Sequence, residues 1–213
     1  MTQNQDVTLL LMAGGRGLRM GRDKPSIPFP APSDPPLIER VHRRLSPLAA
    51  RCLVAGPSSF DLPCQVIQDV PGLPGPLGGV VAGLLASQTE LVLVAAADLP
   101  LVEPRLAQHM VDQAREQPQA WAVVCKRRQR LEPLFAVYRS SAAERLRGSG
   151  DDPTRPRGIS LQRALTALDP LVLPELSWRP YDLHGSSFQG CNTPEELAAA
   201  GMLALARDSG GDP

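Results

Sequence analysis

Residues 9–24 read LLLMAGGRGLRMGRDK, and this stretch decides the class of fold. An apolar run suited to a buried strand leads directly into a glycine-rich turn that ends in Arg22, Asp23 and Lys24. The dinucleotide fingerprint G-x-G-x-x-G does not fit, because its third glycine would fall on Met20. The P-loop does not fit either, because Lys24 is followed by proline instead of a serine or threonine. The turn is therefore either a phosphate loop of a third kind or a plain tight turn.

The bulk composition suits one globular domain. The chain has 213 residues, 43% of them hydrophobic, which is enough apolar material for a sizeable core. We expect a single domain over residues 1–206 and a disordered polar tail over residues 207–213. The 22 basic and 22 acidic residues cancel, which argues against a nucleic-acid-binding protein, since such domains are usually basic.

The ends and the cysteines of the chain suggest a cytoplasmic location. Residues 1–6 are polar and carry no basic residue, so we expect no signal peptide. No apolar run approaches the roughly 20 residues that span a bilayer, so we expect no membrane contact. The cysteines are scattered without a C-x-x-C motif, and we interpret them as small buried hydrophobes in a reducing compartment. They are Cys52, Cys64, Cys125 and Cys191.

Strand-like and helix-like stretches alternate along the chain. Apolar runs predict strands at 7–13, 51–55, 65–68, 91–97, 121–125 and 134–138. Helical spacing and helix-start signals predict helices at 37–48, 77–87, 103–116, 160–168 and 194–206. This alternation predicts a layered α/β fold with a mostly parallel sheet, in which ligands bind at the carboxyl ends of the strands.

Two further strings lie where that rule expects a ligand. Asp98 ends the apolar run in LVLVAAADLP, and a carboxylate there suits a hard metal ion. The alternative is a cap for the following helix. The string GPLGG at 75–79 precedes a helix whose N-terminus offers free N–H groups, although close helix packing explains the glycines equally well.

Several strings in order resemble one family. LLMAGGRGLRMGRDK resembles the L-x-G-G-x-S-x-R-M-G-x-D-K signature of molybdenum cofactor guanylyltransferases. Four further strings match other segments of the family. GPLGG resembles the family's GPLAG segment, and AAADLP resembles its aspartate-centred segment. LEPLFAVY resembles its PLFALY strand, and FQGCNTPEEL resembles its F-x-N-x-N-T-P-E-E-L segment. The order and spacing agree from about residue 7 to about residue 200. The resemblance implies a Rossmann-like three-layer α/β/α fold of the nucleotide-diphospho-sugar-transferase type.

The resemblance also implies an activity and its substrates. The family transfers GMP from GTP to the phosphate of molybdopterin, releases pyrophosphate and uses Mg²⁺. Molybdoenzymes or cofactor-delivery proteins are then plausible transient partners. The alternatives are a molybdopterin cytidylyltransferase, another nucleotidyltransferase with a phosphorylated acceptor, and an inactive nucleotide-binding module.

The matched positions supply the expected site. We expect Lys24 and Arg19 to neutralise the phosphates and Asp98 to hold both metal and nucleotide. Asp69 is a candidate for contacting guanine, and the alternative is a turn residue before Pro71. The remaining nucleotide-binding positions are Met12, Ala13, Gly14, Gly15, Gly78 and Asn192.

Two departures from the family pattern concern side chains of the site. An asparagine after the second strand is lost near residues 55–56, and the first asparagine of N-x-N-T-P is Gly190 here. The first loss puts one nucleotide contact in doubt. The second removes a side chain close to the expected metal and acceptor site.

Overall fold

A single seven-stranded sheet forms the centre of the protein. The computed structural model describes residues 5–14, 24–56, 60–73, 75–148 and 160–209. Across the sheet the strands follow the order β3-β2-β1-β4-β6-β5-β7. Six strands run parallel, and β6 runs antiparallel to both of its neighbours. The strands are β1 (Val7–Met12), β2 (Arg51–Ala55), β3 (Gln65–Ile67), β4 (Leu91–Ala96), β5 (Ala122–Arg127), β6 (Arg130–Arg139) and β7 (Leu171–Leu173).

Helices cover both faces of this sheet. They are α1 (Leu37–Leu45), α2 (Pro76–Ala86), α3 (Pro104–Glu116), α4 (Ala143–Gly148), α5 (Leu161–Ala167), α6 (Glu175–Trp178) and α7 (Pro194–Ser209). Side chains alternate along a strand, so Leu9 and Leu11 face one layer while Leu10 and Met12 face the other. The first layer contains buried residues of α1, α3 and α6, and the second contains those of α2, α4 and α5. The predicted three-layer α/β/α architecture is confirmed.

The two central strands show why an unbroken apolar run predicts a buried strand. Every residue of β1 and β4 is buried, because helices cover both faces. The amphipathic helix α3 shows the complementary pattern. Its buried residues are spaced by three and four positions, so they form one stripe against the sheet.

Three short elements were not predicted. They are α4, β7 and α6, with six, three and four residues. Segments this short contain too few residues for a periodic pattern. The strand predicted at 134–138 is also longer than expected, and β6 begins at Arg130.

The predicted tail is wrong at its start. Helix α7 continues to Ser209, so Arg207 and Asp208 are helical. Arg207 pairs with Glu103, and Asp208 pairs with Arg40 at 2.8 Å. These ion pairs to other parts of the fold explain why the helix extends past the last apolar residue. Residues 210–213 lie outside the described residues.

The interpretation of all four cysteines as buried thiols is also wrong in part. Cys125 and Cys191 are buried and form no disulfide, as expected. Cys52 on β2 and Cys64 directly before β3 form a disulfide, and their Cα atoms are 4.6 Å apart. The two strands are neighbours in the sheet, which brings together cysteines separated by 12 positions.

Within the described ranges no helix is long and apolar enough to cross a membrane.

Candidate active site

The carboxyl ends of four adjacent parallel strands form the edge where the predicted residues meet. Strands β3, β2, β1 and β4 end at this edge, and Asp69, Gly14 and Asp98 follow three of them. Ligands of open α/β sheets bind outside the carboxyl ends of the strands. The backbone of Ala97 donates a hydrogen bond to the Met12 carbonyl at 3.0 Å, which joins the segments after β1 and β4.

The segment after β1 packs against the segment after β2. The Ala13 N–H donates to the Ala55 carbonyl at 2.8 Å. Gly56 has a φ of +155°, and a Cβ on it would lie 3.0 Å from the Ala13 carbonyl carbon and 3.1 Å from the Gly14 nitrogen. A side chain at position 56 would therefore be crowded against the backbone of Ala13 and Gly14.

Asp69 lies over the N-terminal turn of α2. A Cβ on Gly78 would lie 3.3 Å from the Cβ of Asp69. A Cβ on Gly79 would lie 3.0 Å from Asp69 Oδ1 and 2.6 Å from Met12 Cε. The structure thus brings Met12, Asp69 and Gly78 together as expected, and it adds Gly79, which sequence reasoning did not single out.

The surroundings of GPLGG bear on both of the alternatives that the sequence left open for its glycines. They permit close packing, because any side chain at Gly79 would displace Met12 or Asp69. They also leave the first turn of α2 bare beside the carboxylate, at the end of the helix that attracts negative charge. Burial raises the pKa of the Asp69 carboxyl above its ordinary value. The first turn of α2 thus lies beside a partly desolvated carboxylate.

Asp98 and Asn192 meet beside Gly190. A Cβ on Gly190 would lie 3.5 Å from Asp98 Oδ2 and 3.5 Å from Asn192 Nδ2. The Cys191 N–H donates to the Asp98 carbonyl at 3.1 Å, which holds the two segments together. The helix that follows Asp98 begins at Pro104 with Glu103 in the cap position, so Asp98 does not cap it.

A capping box fixes Asn192 at the start of α7. Glu196 Oε2 accepts hydrogen bonds from the N–H groups of Asn192 at 2.6 Å and Thr193 at 3.2 Å. The Glu196 N–H in turn donates to Thr193 Oγ1 at 3.2 Å. This reciprocal pattern is the capping box that T-P-E-E predicts. The side chain of Asn192 therefore projects from a well-defined helix start.

A buried aspartate supports the segment that leads to Gly190. Asp182 is 3% exposed. It accepts hydrogen bonds from the Ser186 N–H and Oγ at 3.0 and 2.9 Å, and from the Ser187 N–H at 2.8 Å. Sequence reasoning missed this residue, because it pairs with a short turn that shows no helical or strand periodicity.

Three predicted residues remain without a described side chain. Arg19 and Gly15 lie outside the described residues. The backbone of Lys24 begins a short 3-10 helix, Lys24–Ser26, and its side chain also lies outside the description.

The sheet edge combines three features of a nucleotidyltransferase-type α/β protein. They are a glycine-rich sequence after β1, a carboxylate after β4 and a helix that begins with glycines beside the edge. A model of the MobA-like NTP transferase domain matches residues 9–168. The chain belongs to that family. Nucleotidyltransferases of this family typically use a divalent metal ion.

Relatives and solved structures agree with this placement. A probable molybdenum cofactor guanylyltransferase of Chloroflexus aggregans is 36% identical over 194 residues, covering 88% of this chain and 90% of that protein. A molybdenum cofactor guanylyltransferase of Ectopseudomonas mendocina is 29% identical and covers 95% of each chain.

Two solved structures match nearly the whole chain. The crystal structure of molybdopterin-guanine dinucleotide biosynthesis protein A from Archaeoglobus fulgidus has a TM-score of 0.77 and 25% identity, covering 94% of this chain and all of that one. The 2-C-methyl-D-erythritol 4-phosphate cytidylyltransferase of Thermus thermophilus has a TM-score of 0.66 and 16% identity, covering 94% of this chain and all of that one. The second likeness concerns the fold alone.

Proposed function

We propose that this chain transfers GMP from GTP to the phosphate of molybdopterin, releasing pyrophosphate. The observation that supports this proposal is the meeting of Asp98 and Asn192 beside Gly190, at the same sheet edge as Asp69. The relatives named as guanylyltransferases cover almost the whole chain. We further propose that residues 1–206 form one nucleotidyltransferase domain that works in the cytoplasm.

The surroundings of Asp69 are the proposed guanine site. Guanine presents a ring N–H and an amino group side by side, and a carboxylate can accept from both. Asp69 lies next to Met12 and to the first turn of α2, which carries no side chains at Gly78 and Gly79. The segment with Ala13 and Gly14 follows β1 at the same edge of the sheet.

Asp98 and Asn192 are the proposed ligands on the phosphate side. Carboxylate and amide oxygens suit a hard divalent cation, and Mg²⁺ commonly takes only one or two protein carboxylates. We propose that Mg²⁺ is the metal and that Asp98 holds it. When bound, such an ion neutralises charge on the phosphates and polarises them.

The chemistry needs charge neutralisation and alignment more than a strong base. An oxygen of the acceptor phosphate attacks the α-phosphorus of GTP, and the bond to the leaving pyrophosphate breaks. A phosphate is already ionised near neutral pH, so no general base is required. The proposed roles of Lys24 and Arg19 are to balance the charge on pyrophosphate, while Gly15 and the loop backbone donate N–H groups. Transient delivery of molybdopterin by a partner protein remains a proposal.

A thermal-shift series tests the nucleotide part of this proposal. GTP with Mg²⁺ should raise the melting temperature more than CTP or ATP with Mg²⁺, because binding to the native state stabilises it by mass action. Asp98→Asn should abolish the Mg²⁺-dependent part of the shift and the transfer of GMP, while the melting temperature of the free protein stays near that of the wild type. Asp112→Asn, on the exposed face of α3, is the matched control and should behave like wild type. Equal shifts for the three nucleotides would overturn the assignment of guanine.

A further inference from the structure

A second group of metal-ligating side chains lies outside the proposed active site. His42 on α1, Cys52 on β2 and Cys64 before β3 each offer one ligand atom, and these atoms all lie within 4.8 Å of one another. All three residues are half-buried. None of them contacts GTP or the acceptor in the proposed function, so the cluster calls for an explanation of its own.

The arrangement of the three atoms matches one type of cation. Two sulfurs and one imidazole nitrogen form a soft donor set that selects zinc-like or cuprous ions over magnesium or calcium. In a tetrahedral zinc site the ligand atoms lie roughly 3.5–3.8 Å apart, given metal–sulfur bonds of about 2.3 Å and metal–nitrogen bonds of about 2.0 Å. Once the disulfide opens, small side-chain rotations bring atoms confined within 4.8 Å to such separations.

The surroundings of the cluster also suit a metal site. Cys52 and Cys64 are anchored on neighbouring strands with Cα atoms 4.6 Å apart, so the backbone keeps the two sulfurs together even without the covalent bond. Both cysteines, together with Phe60 and Leu62, pack against the core layer that contains α1. A partly apolar shell of this kind lowers the local dielectric and strengthens the attraction between a cation and thiolates.

We propose that His42, Cys52 and Cys64 bind one thiophilic divalent cation of the zinc type when the two cysteines are reduced, with water completing the shell. In this binding step the two thiols lose their protons, and the sulfurs bind the cation as thiolates. The imidazole of His42 binds through a neutral nitrogen. The disulfide uses the same sulfur atoms, so the oxidised protein and the metal-bound protein are mutually exclusive states.

Cobalt titration of the full chain tests this proposal without any variant. The protein is reduced with a phosphine, which yields two thiols and a phosphine oxide whose oxygen comes from water, and the phosphine is then removed without air. Co²⁺ should give one equivalent of thiolate-to-cobalt charge-transfer absorption, and Zn²⁺ should displace it. The protein with its disulfide intact should show no such band. A reduced wild-type protein without the band would overturn the proposal.

Matched variants locate the site. Cys52→Ser or Cys64→Ser should remove the band, and His42→Asn should weaken zinc affinity by more than about tenfold, since even outer-shell changes cost 10–100-fold. Cys125→Ser removes a buried thiol elsewhere and should leave the band unchanged. Asp98→Asn should also leave it unchanged, which separates this site from the proposed magnesium site. An equal band in Cys52→Ser and wild type would refute the assignment.

Discussion

The variant Asp69→Asn tests whether the Asp69 carboxylate recognises guanine. The side chain sits 3.0 Å from where a Cβ on Gly79 would lie, so an isosteric amide fits the same space. In the proposed complex the carboxylate accepts from the ring N–H and the amino group of guanine. The amide instead presents an NH₂ to one of these donors. Hydrogen bonds to a charged group contribute about 1.5–3 kcal/mol, so GTP affinity should fall by roughly 10–150-fold.

Calorimetric titration with GTP and with inosine triphosphate, which lacks the amino group, measures this effect. The wild type should bind GTP about tenfold more tightly than inosine triphosphate, and Asp69→Asn should lose most of that difference. Asp61→Asn is a control, because this exposed carboxylate lies in the preceding connection, between β2 and β3, and has no assigned role in guanine binding. Binding of GTP to Asp69→Asn within twofold of wild type would refute the assigned role of Asp69.

The pH dependence of GTP binding is an independent test of the role proposed for Asp69. Burial raises the pKa of Asp69 above its ordinary value of 3.8. The carboxylate is charged above that pKa, so guanine recognition should weaken as the pH falls through the raised pKa. The stability of the free protein depends on pH in the opposite direction to GTP binding. The folded state holds this proton more tightly than the unfolded state, so protonation of Asp69 favours folding. Asp69→Asn should therefore lose GTP binding without losing thermal stability.

Three further predictions concern packing and support. Gly79→Ala should raise the KM for GTP, because its Cβ would displace Met12 or Asp69. Gly83→Ala is the comparison, because its Cβ would lie 2.2 Å from Leu10 Cδ2, away from the proposed site. It should lower the free energy of unfolding by about 1–3 kcal/mol in chemical denaturation, with little change in KM. Gly190→Asn restores a side chain whose Cβ would lie no closer than 3.5 Å to any atom of the described residues. It should raise kcat severalfold, with Gly190→Ala as the inert control, and unchanged turnover would refute a role for that side chain. Asp182→Ala removes the acceptor of three buried hydrogen-bond donors, so it should lower the free energy of unfolding by at least about 3 kcal/mol. A loss below about 1 kcal/mol would contradict the contribution assigned to this buried network.

The sequence predicts the parts of the fold that depend on local pattern. The buried strands β1 and β4 follow from unbroken apolar runs, and the start of α7 follows from the capping sequence T-P-E-E. The position of Asp98 follows from the rule that ligands gather at strand ends. Its proximity to Asn192 was implied by the family resemblance, and the structure places both beside Gly190.

Features that depend on contacts between distant segments could not be predicted in the same way. The bond between Cys52 and Cys64 depends on β2 and β3 being neighbours, which spacing alone does not reveal. The contact between Asp69 and Gly79 depends on the path of an irregular connection. The ion pair of Arg207 with Glu103 extends α7 beyond its apolar pattern, because it forms with a residue over a hundred positions away.

Identification of the transfer product tests the proposed function most directly. The protein is incubated with Mg²⁺, molybdopterin and one ribonucleoside triphosphate at a time, and the products are resolved by mass spectrometry. The proposed function predicts a pterin–guanine dinucleotide and an equal amount of pyrophosphate from GTP, with much slower transfer from CTP, ATP or UTP. Faster formation of a cytosine dinucleotide, or GTP binding without any dinucleotide, would contradict it.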